Sequence, residues 1–252
     1  MKVDREIARI MESMRWVWKP TNCELIPFDH LRLVKWLQDH EARIVFLGDS
    51  ISEDMSNAMK GMLQPNGSGL VVNARFDGLG VSGIGSAEGD VRLSWNRVAT
   101  QFNIKSQDIV VINTGAHWKN GTVTLEKINN ISMAIKDEIE AQTIVWRHSI
   151  KGHRDCERFH RPFAKEEMTP ELRENLSSLY NWANFGESND LFVKSLTDVL
   201  DDRTFLVLDV SMFERRPDGH AVPGYDCLHY CTPSAINEWN KILFHVLMKQ
   251  GN

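Results

Sequence analysis

The 252-residue chain has no long apolar run, no basic block and few cysteines. Aliphatic runs such as 44–47 and 109–112 end at four residues, whereas a membrane span needs about 20. Nowhere do more than two basic residues stand together, and 29 basic against 34 acidic side chains leave a net charge of −5. A nucleic-acid footprint or a polybasic membrane patch is therefore not supported. Four cysteines are sparse for a chain that buries roughly 70–75% of its unfolded surface without staples. Residues 1–10 mix Lys2, Asp4, Arg5, Glu6 and Arg9 through their apolar positions and hold no signal-like apolar stretch. Either the protein is not exported or a targeting segment is missing from this chain. Repeats, low-complexity tracts and a convincing linker are also absent. The nucleophile-elbow pattern Gly-x-Ser-x-Gly does not occur, which argues against an α/β-hydrolase. What is present is ordinary globular composition, 42% apolar and 25% charged, expected to form one domain over residues 1–252.

Five short runs rich in Val, Ile, Leu and Phe (43–48, 70–76, 108–114, 143–148 and 204–210) lack strict alternation and read as strands buried on both faces. Helical patterns lie between and after them at 51–63, 91–102, 125–140, 171–200, with a break expected at Gly186, and 234–248, opened by Pro233. Alternating strand and helix predicts an α/β fold: a three-layer αβα sandwich around a five-stranded, mostly parallel, flavodoxin-like sheet of order 2-1-3-4-5. Chemistry in such folds collects at the carboxyl ends of the strands, so the residues directly after each run are the candidates.

Gly48-Asp49-Ser50 stands between the first strand and a helix. A serine there meets free backbone N–H groups and the positive end of the helix dipole, where an oxyanion can be held. Asp and Ser are also ordinary helix caps. Asp226-Cys227-Leu228-His229 supplies the other half of a nucleophilic site: a carboxylate three residues before an imidazole can fix its tautomer, leaving the second ring nitrogen for a serine. Asn113, at the tip of the third strand, could offer its amide to the oxyanion, or serve a turn with Thr114 and Gly115. Gly80, in the glycine-rich stretch 77–89, could offer a backbone N–H at close approach. Trp118 is a candidate sugar platform. Arg147 and His148 end the fourth strand and are candidates for the acceptor site, with an ion pair or a satisfied polar contact as the alternative.

These pieces resemble a known family. Gly48-Asp49-Ser50 with Asp226-x-x-His229 is similar to the GDSL/SGNH-type esterases, and more closely to the PC-esterase branch, which contains the trichome birefringence-like polysaccharide O-acetyltransferases. The resemblance runs through Trp18-Lys19-Pro20-Thr21-Asn22-Cys23, Phe28-Asp29, Val45–Ser50, Asn113-Thr114-Gly115 with His117-Trp118, Val145-Trp146-Arg147, Leu208-Asp209-Val210, Arg216-Pro217-Asp218-Gly219-His220, and Asp226 to Pro233 with Trp239-Asn240. It implies a Ser50–His229–Asp226 triad and acyl-ester chemistry on carbohydrate, for which the N–H groups of Ser50 and Gly80 and the side chain of Asn113 are the expected oxyanion hole. His117, Trp118 and Arg147 would line the substrate site. No metal or other cofactor is required; the partners are an acyl donor and a glycan. The resemblance further implies disulfides Cys23–Cys231 and Cys156–Cys227. Those bonds would suit the Golgi, the secretory pathway or the exterior, whereas reduced thiols would suit a cytoplasmic protein. Cys227-x-His229-x-Cys231 also has metal-ligand residue types, at a spacing unusual for zinc. The family's Arg-Asn after the nucleophile is Glu53-Asp54 here, and its tandem Trp is His117-Trp118-Lys119 after Ala116. Two readings follow: an acetyltransferase or esterase, or a glycan-binding relative without turnover.

Overall fold

The computed structural model describes residues 2–21, 23–75, 91–116, 124–175, 182–222 and 226–250. In chain order the helices and strands are α1 (Lys2–Ser13), α2 (His30–Asp39), β1 (Ile44–Gly48), α3 (Ser50–Met62), β2 (Val71–Arg75), α4 (Val91–Gln101), β3 (Ile109–Ile112), α5 (Leu125–Glu138), β4 (Thr143–Arg147), α6 (Pro170–Asn175), α7 (Phe185–Val199), β5 (Thr204–Leu208), β6 (His220–Val222), β7 (Asp226–Tyr230) and α8 (Ala235–Gln250).

The five strands form one parallel sheet in the order β2-β1-β3-β4-β5, as the alternating pattern predicts. Successive strand side chains point to opposite faces, and β1 feeds two separate cores accordingly. Ile44 and Phe46 pack with Leu33, Met55, Met59, Trp239 and Phe244 of α2, α3 and α8. Val45 and Leu47 pack with Trp95, Ile128, Ile135 and Leu196 of α4, α5 and α7. Trp146 of β4 stacks on Phe192 of α7 with ring centroids 4.2 Å apart. Covering both faces accounts for the unbroken apolar strands β1 and β3, whereas the edge strands β2 and β5, expected to be buried on both faces, are partly exposed; the result is an αβα sandwich of the SGNH type.

Three features depart from the sequence expectation. α1 and α2 precede the first strand. α2 starts at Asp29, whose carboxylate accepts a hydrogen bond from the Arg32 N–H at 3.1 Å. Among the described residues the helical pattern 171–200 holds α6 and α7, and Gly186 lies in the first turn of α7 rather than at a break. The acid–base segment is half of an antiparallel pair, β6 with β7, in which His220 faces Tyr230 and Val222 faces Asp226.

α1 is charged along its length, yet Arg9 is 4% exposed. Its guanidinium donates to the Asp218 carbonyl and, at 2.7 Å, to the His220 carbonyl. Arg216 donates to the Ser13 carbonyl at 2.7 Å and pairs with Asp218 at 2.9 Å. These contacts bind the N-terminal helix to the stretch that leads into β6.

The passage from β1 to α3 is tight. A Cβ on Gly48 would overlap Ser52 Oγ and stand 2.5 Å from the Asn113 carbonyl oxygen. The hydroxyl can turn aside, but the neighbouring strand's carbonyl cannot. Gly48→Ala is expected to lower unfolding free energy by about 1–3 kcal/mol, measured as a reduced urea midpoint at unchanged slope.

Candidate active site

α3 begins at Ser50. Asp49 caps it, with one carboxylate oxygen accepting the Ile51 N–H at 3.1 Å, so the Ser50 side chain is set at the carboxyl edge of β1, the central strand of the β2-β1-β3 group. The Ser50 N–H belongs to the first turn, where the helix supplies no acceptor, and it has no other partner among the described residues. The hydroxyl lies 2.6 Å from His229 Nε2. His229 Nδ1 lies 2.7 Å from one Asp226 carboxylate oxygen. The other Asp226 oxygen accepts the backbone N–H groups of Leu228 and His229, both at 3.0 Å. Ser50, His229 and Asp226 thus form one continuous hydrogen-bonded chain, each half-buried.

The charges follow from these contacts. The bond from Asp226 raises His229 above the ordinary histidine value, and burial opposes it. Burial pushes Asp226 upward, but the His229 ring and the two backbone N–H groups outweigh it and hold the carboxyl well below the usual range. His229 is therefore a strengthened base with a fixed tautomer: Nδ1 carries the proton toward Asp226, and Nε2 faces the serine.

β7 is anchored from several sides. Cys227 is disulfide-bonded to Cys156 in the loop after β4, and the His153 N–H donates to the Cys227 carbonyl at 2.8 Å. His220 of β6 faces the His229 carbonyl through Nδ1 at 3.0 Å, and its Nε2 lies 2.6 Å from His153 Nδ1. Burial pushes His153 down to about 4 and lowers His220 as well. The disulfide consumes the Cys227 thiol, which removes a thiolate ligand from the Cys227-x-His229-x-Cys231 grouping. The expected Cys23–Cys231 bond is not formed. Cys23 is exposed and outside any disulfide, and the Cys231 thiol donates to the His220 carbonyl at 3.4 Å.

Other predicted residues fall elsewhere. Asn113 is at the tip of β3 as expected, but its amide donates to the Arg147 carbonyl at 2.9 Å and to Ser149 Oγ at 2.8 Å. Ser149 in turn donates to the Thr114 carbonyl. Both amide hydrogens are spent on buried acceptors, so Asn113 ties β3 to β4 and has no hydrogen left for an oxyanion. Arg147 does not line an open acceptor site. It is 1% exposed, donates to the His148 carbonyl at 3.0 Å, and lies 5.3 Å over the Trp239 ring. Desolvation lowers it to about 10, with Asp49 pulling the other way. With Asp49, Asn113 and Trp239 it lines a cavity of about 10 Å3 beneath the serine, room for about one water. His148 makes a polar contact instead: its Nδ1 is 3.2 Å from an Asp209 carboxylate oxygen. Gly80, His117 and Trp118 lie outside the described residues.

Two acidic residues follow the serine on α3. Glu53 accepts from Asn73 at 3.2 Å and pairs with Arg75 at 2.6 Å. Asp54 is one helical turn beyond Ser50 on the same face. A larger groove of about 340 Å3, lined by Met14, Trp16, Phe28, Met62 and Pro233 among others, is at the other end of α3. Met62 is twelve residues from Ser50, about 18 Å along the helix.

No family model matches the chain. Two curated proteins of Arabidopsis thaliana do. Trichome birefringence-like 7 is 25% identical over 293 aligned positions, covering 95% of this chain and 65% of that protein. Trichome birefringence-like 13 is 25% identical over 312 positions, covering 94% of this chain and 74% of its own length. The chain thus spans about two thirds of the first relative's length. These similarities indicate a distant relationship to the trichome birefringence-like proteins.

Asp226→Asn should place an amide N–H against Nδ1, reverse the ring tautomer and let the His229 pKa fall. An NMR titration should find His229 titrating above 6.5 in the parent and lower in the variant. A base works only when neutral, so any His229-dependent rate should fall as pH drops through that raised value. For the disulfide, a 71-residue separation corresponds to about 4 kcal/mol on the loop-entropy scale, an upper bound. Cys227→Ala should lower stability toward that amount in denaturant titration.

Proposed function

We propose that this protein is a serine-dependent O-acyl (acetyl) transferase or esterase acting on carbohydrate esters. The observation that carries the reading is the bonded chain from Ser50 Oγ through His229 to Asp226, at 2.6 and 2.7 Å. That order of groups is what a hydroxyl nucleophile needs: an imidazole base within reach of the hydroxyl and a carboxylate on the far side of the ring. The distant relationship to the trichome birefringence-like proteins supports the same general chemistry.

On this reading Ser50 Oγ attacks the ester carbonyl while His229 Nε2 takes its proton. Asp226 keeps the ring in the productive tautomer and stabilises the imidazolium. The negative charge that develops on the carbonyl oxygen faces the Ser50 N–H at the positive end of α3, with the Gly80 N–H as a second donor. His229 then returns its proton to the departing alcohol, and the acyl group stays on Ser50. In the second half, a sugar hydroxyl or water attacks the acyl-serine carbonyl as His229 removes its proton; the bond to Ser50 Oγ breaks, His229 gives that proton to the departing Ser50 oxygen, and the new ester or free acid leaves. Transfer and hydrolysis share the first half and differ in which nucleophile reaches the acyl-enzyme. None of these steps routes through a metal or cofactor. The glycan contacts of His117 and Trp118 belong to the same proposal. The Cys156–Cys227 bond suits an oxidising compartment, the secretory pathway or the exterior. Among the described residues no helix is long and apolar enough to cross a membrane.

The test is release of p-nitrophenol from its acetate together with labelling by a serine-reactive phosphonate. Ser50→Ala should abolish labelling and lower turnover by about 10^3-fold or more, in a protein whose melting curve is retained. A folded parent that neither reacts nor labels would overturn the reading. Glycan binding that persists in Ser50→Ala without acetyl release would identify a binding protein instead.

A further inference from the structure

We propose that Asp54 selects the charge of the sugar presented to Ser50, favouring neutral and amine-bearing glycans and turning away uronates. The inference deepens the catalytic reading above and rests on it for the identity of the reacting centre.

The geometry begins with helix periodicity. Asp54 follows Ser50 by four residues on α3, so the two share a face, and helical side chains lean toward the helix N-terminus. The Asp54 carboxylate therefore leans back over the serine. The charges that act on it are those of His229, Glu53, Asp226 and Arg75. It borders the nucleophile and the base together.

Its state differs from that of its neighbours. The Glu53 carboxylate pairs with Arg75 and accepts a hydrogen bond from Asn73, and Asp226 is spent on His229 and two backbone N–H groups. Asp54 is half-buried, and among the described residues it has no hydrogen-bond or ion-pair partner. Burial pushes it up to about 6, His229 opposes this, and Glu53 and Asp226 add to it. A half-desolvated carboxylate without a partner leaves acceptor capacity unsatisfied. A sugar hydroxyl or ammonium beside the serine would satisfy it. A uronate carboxylate in the same place would meet like charge from Asp54 and gain no donor.

The experiment compares acetylated methyl glucoside, methyl glucosaminide and methyl glucuronide as substrates for acetyl release, in the parent and in Asp54→Asn. The parent should prefer the neutral and amine-bearing esters over the uronate by about tenfold in kcat/KM, the scale of one like charge a few ångströms away near a surface. Asp54→Asn should shrink that ratio to about threefold or less. In the parent the ratio should widen as pH rises through about 6, where Asp54 ionises. The ionisation of His229 is common to all three substrates and cancels in the ratio. Equal use of all three by the parent, or a ratio unmoved by Asp54→Asn, overturns the proposal while leaving the Ser50 reading intact. If no ester is turned over, the catalytic reading fails, and selection is read from calorimetric binding of the matching non-acetylated oligosaccharides. The same order in the parent and its loss in Asp54→Asn support the proposal. Indifference to charge, or no binding of any of the three, overturns it.

Discussion

The arrangement depends on one imidazole held from both sides. His229 receives Asp226 on Nδ1 and meets Ser50 on Nε2, and both contacts are within 2.7 Å. The first is local, made within a turn that Asp226 itself closes on the backbone N–H groups of Leu228 and His229. The second joins residues 179 apart in sequence. A displacement of about 1 Å would break it. Much of the surrounding structure keeps β7 in register with the start of α3.

That restraint comes from unrelated directions. The Cys156–Cys227 bond holds β7 to the loop after β4. The buried His153–His220 pair supports it from β6. Arg9 of α1 and Arg216 fasten the stretch leading into β6, so the first helix of the chain braces one of the last strands. On the serine side, Asn240 of α8 donates to the Met55 carbonyl of α3 at 3.0 Å, and Trp239 beside it is fully buried. Asn113 plays a similar part for β3 and β4. Its two hydrogens are worth more on buried carbonyl and hydroxyl oxygens than left open at a pocket, because an unmade buried bond costs about 1–3 kcal/mol.

The electrostatics are those of a positively poised ring among carboxylates. Asp226 is bonded to the ring, Asp49 caps α3, and Asp54 follows Ser50 by one helical turn. Asp226 and the helix cap have defined partners. Asp54 has none among the described residues, which is why desolvation governs its ionisation. Asp226 and Asp54 are the same residue type in the same small space, yet hydrogen bonding pushes one down and burial pushes the other up.

The sheet was legible because burial on both faces writes itself into composition. Residues 44–47, 109–112 and 144–146 are apolar whether read singly or in alternation, and the helices between them leave few orders for a parallel sheet. The Asp226–His229 contact was legible because three residues of spacing suffice to make it. α1 was not, since its charged residues hide that Arg9 is an interior contact whose partners come more than two hundred residues later. The contacts of Asn113 and Arg147 were not legible for the same reason. A polar residue at a strand tip has the right chemistry for a pocket or for the core, and only its neighbours in space decide which. Sequence alone determined the layers, the strand order and the two fragments of the site. The tertiary structure decided that the fragments meet, which cysteines bond and which polar groups are already spent, because those depend on contacts between segments that the chain order keeps apart.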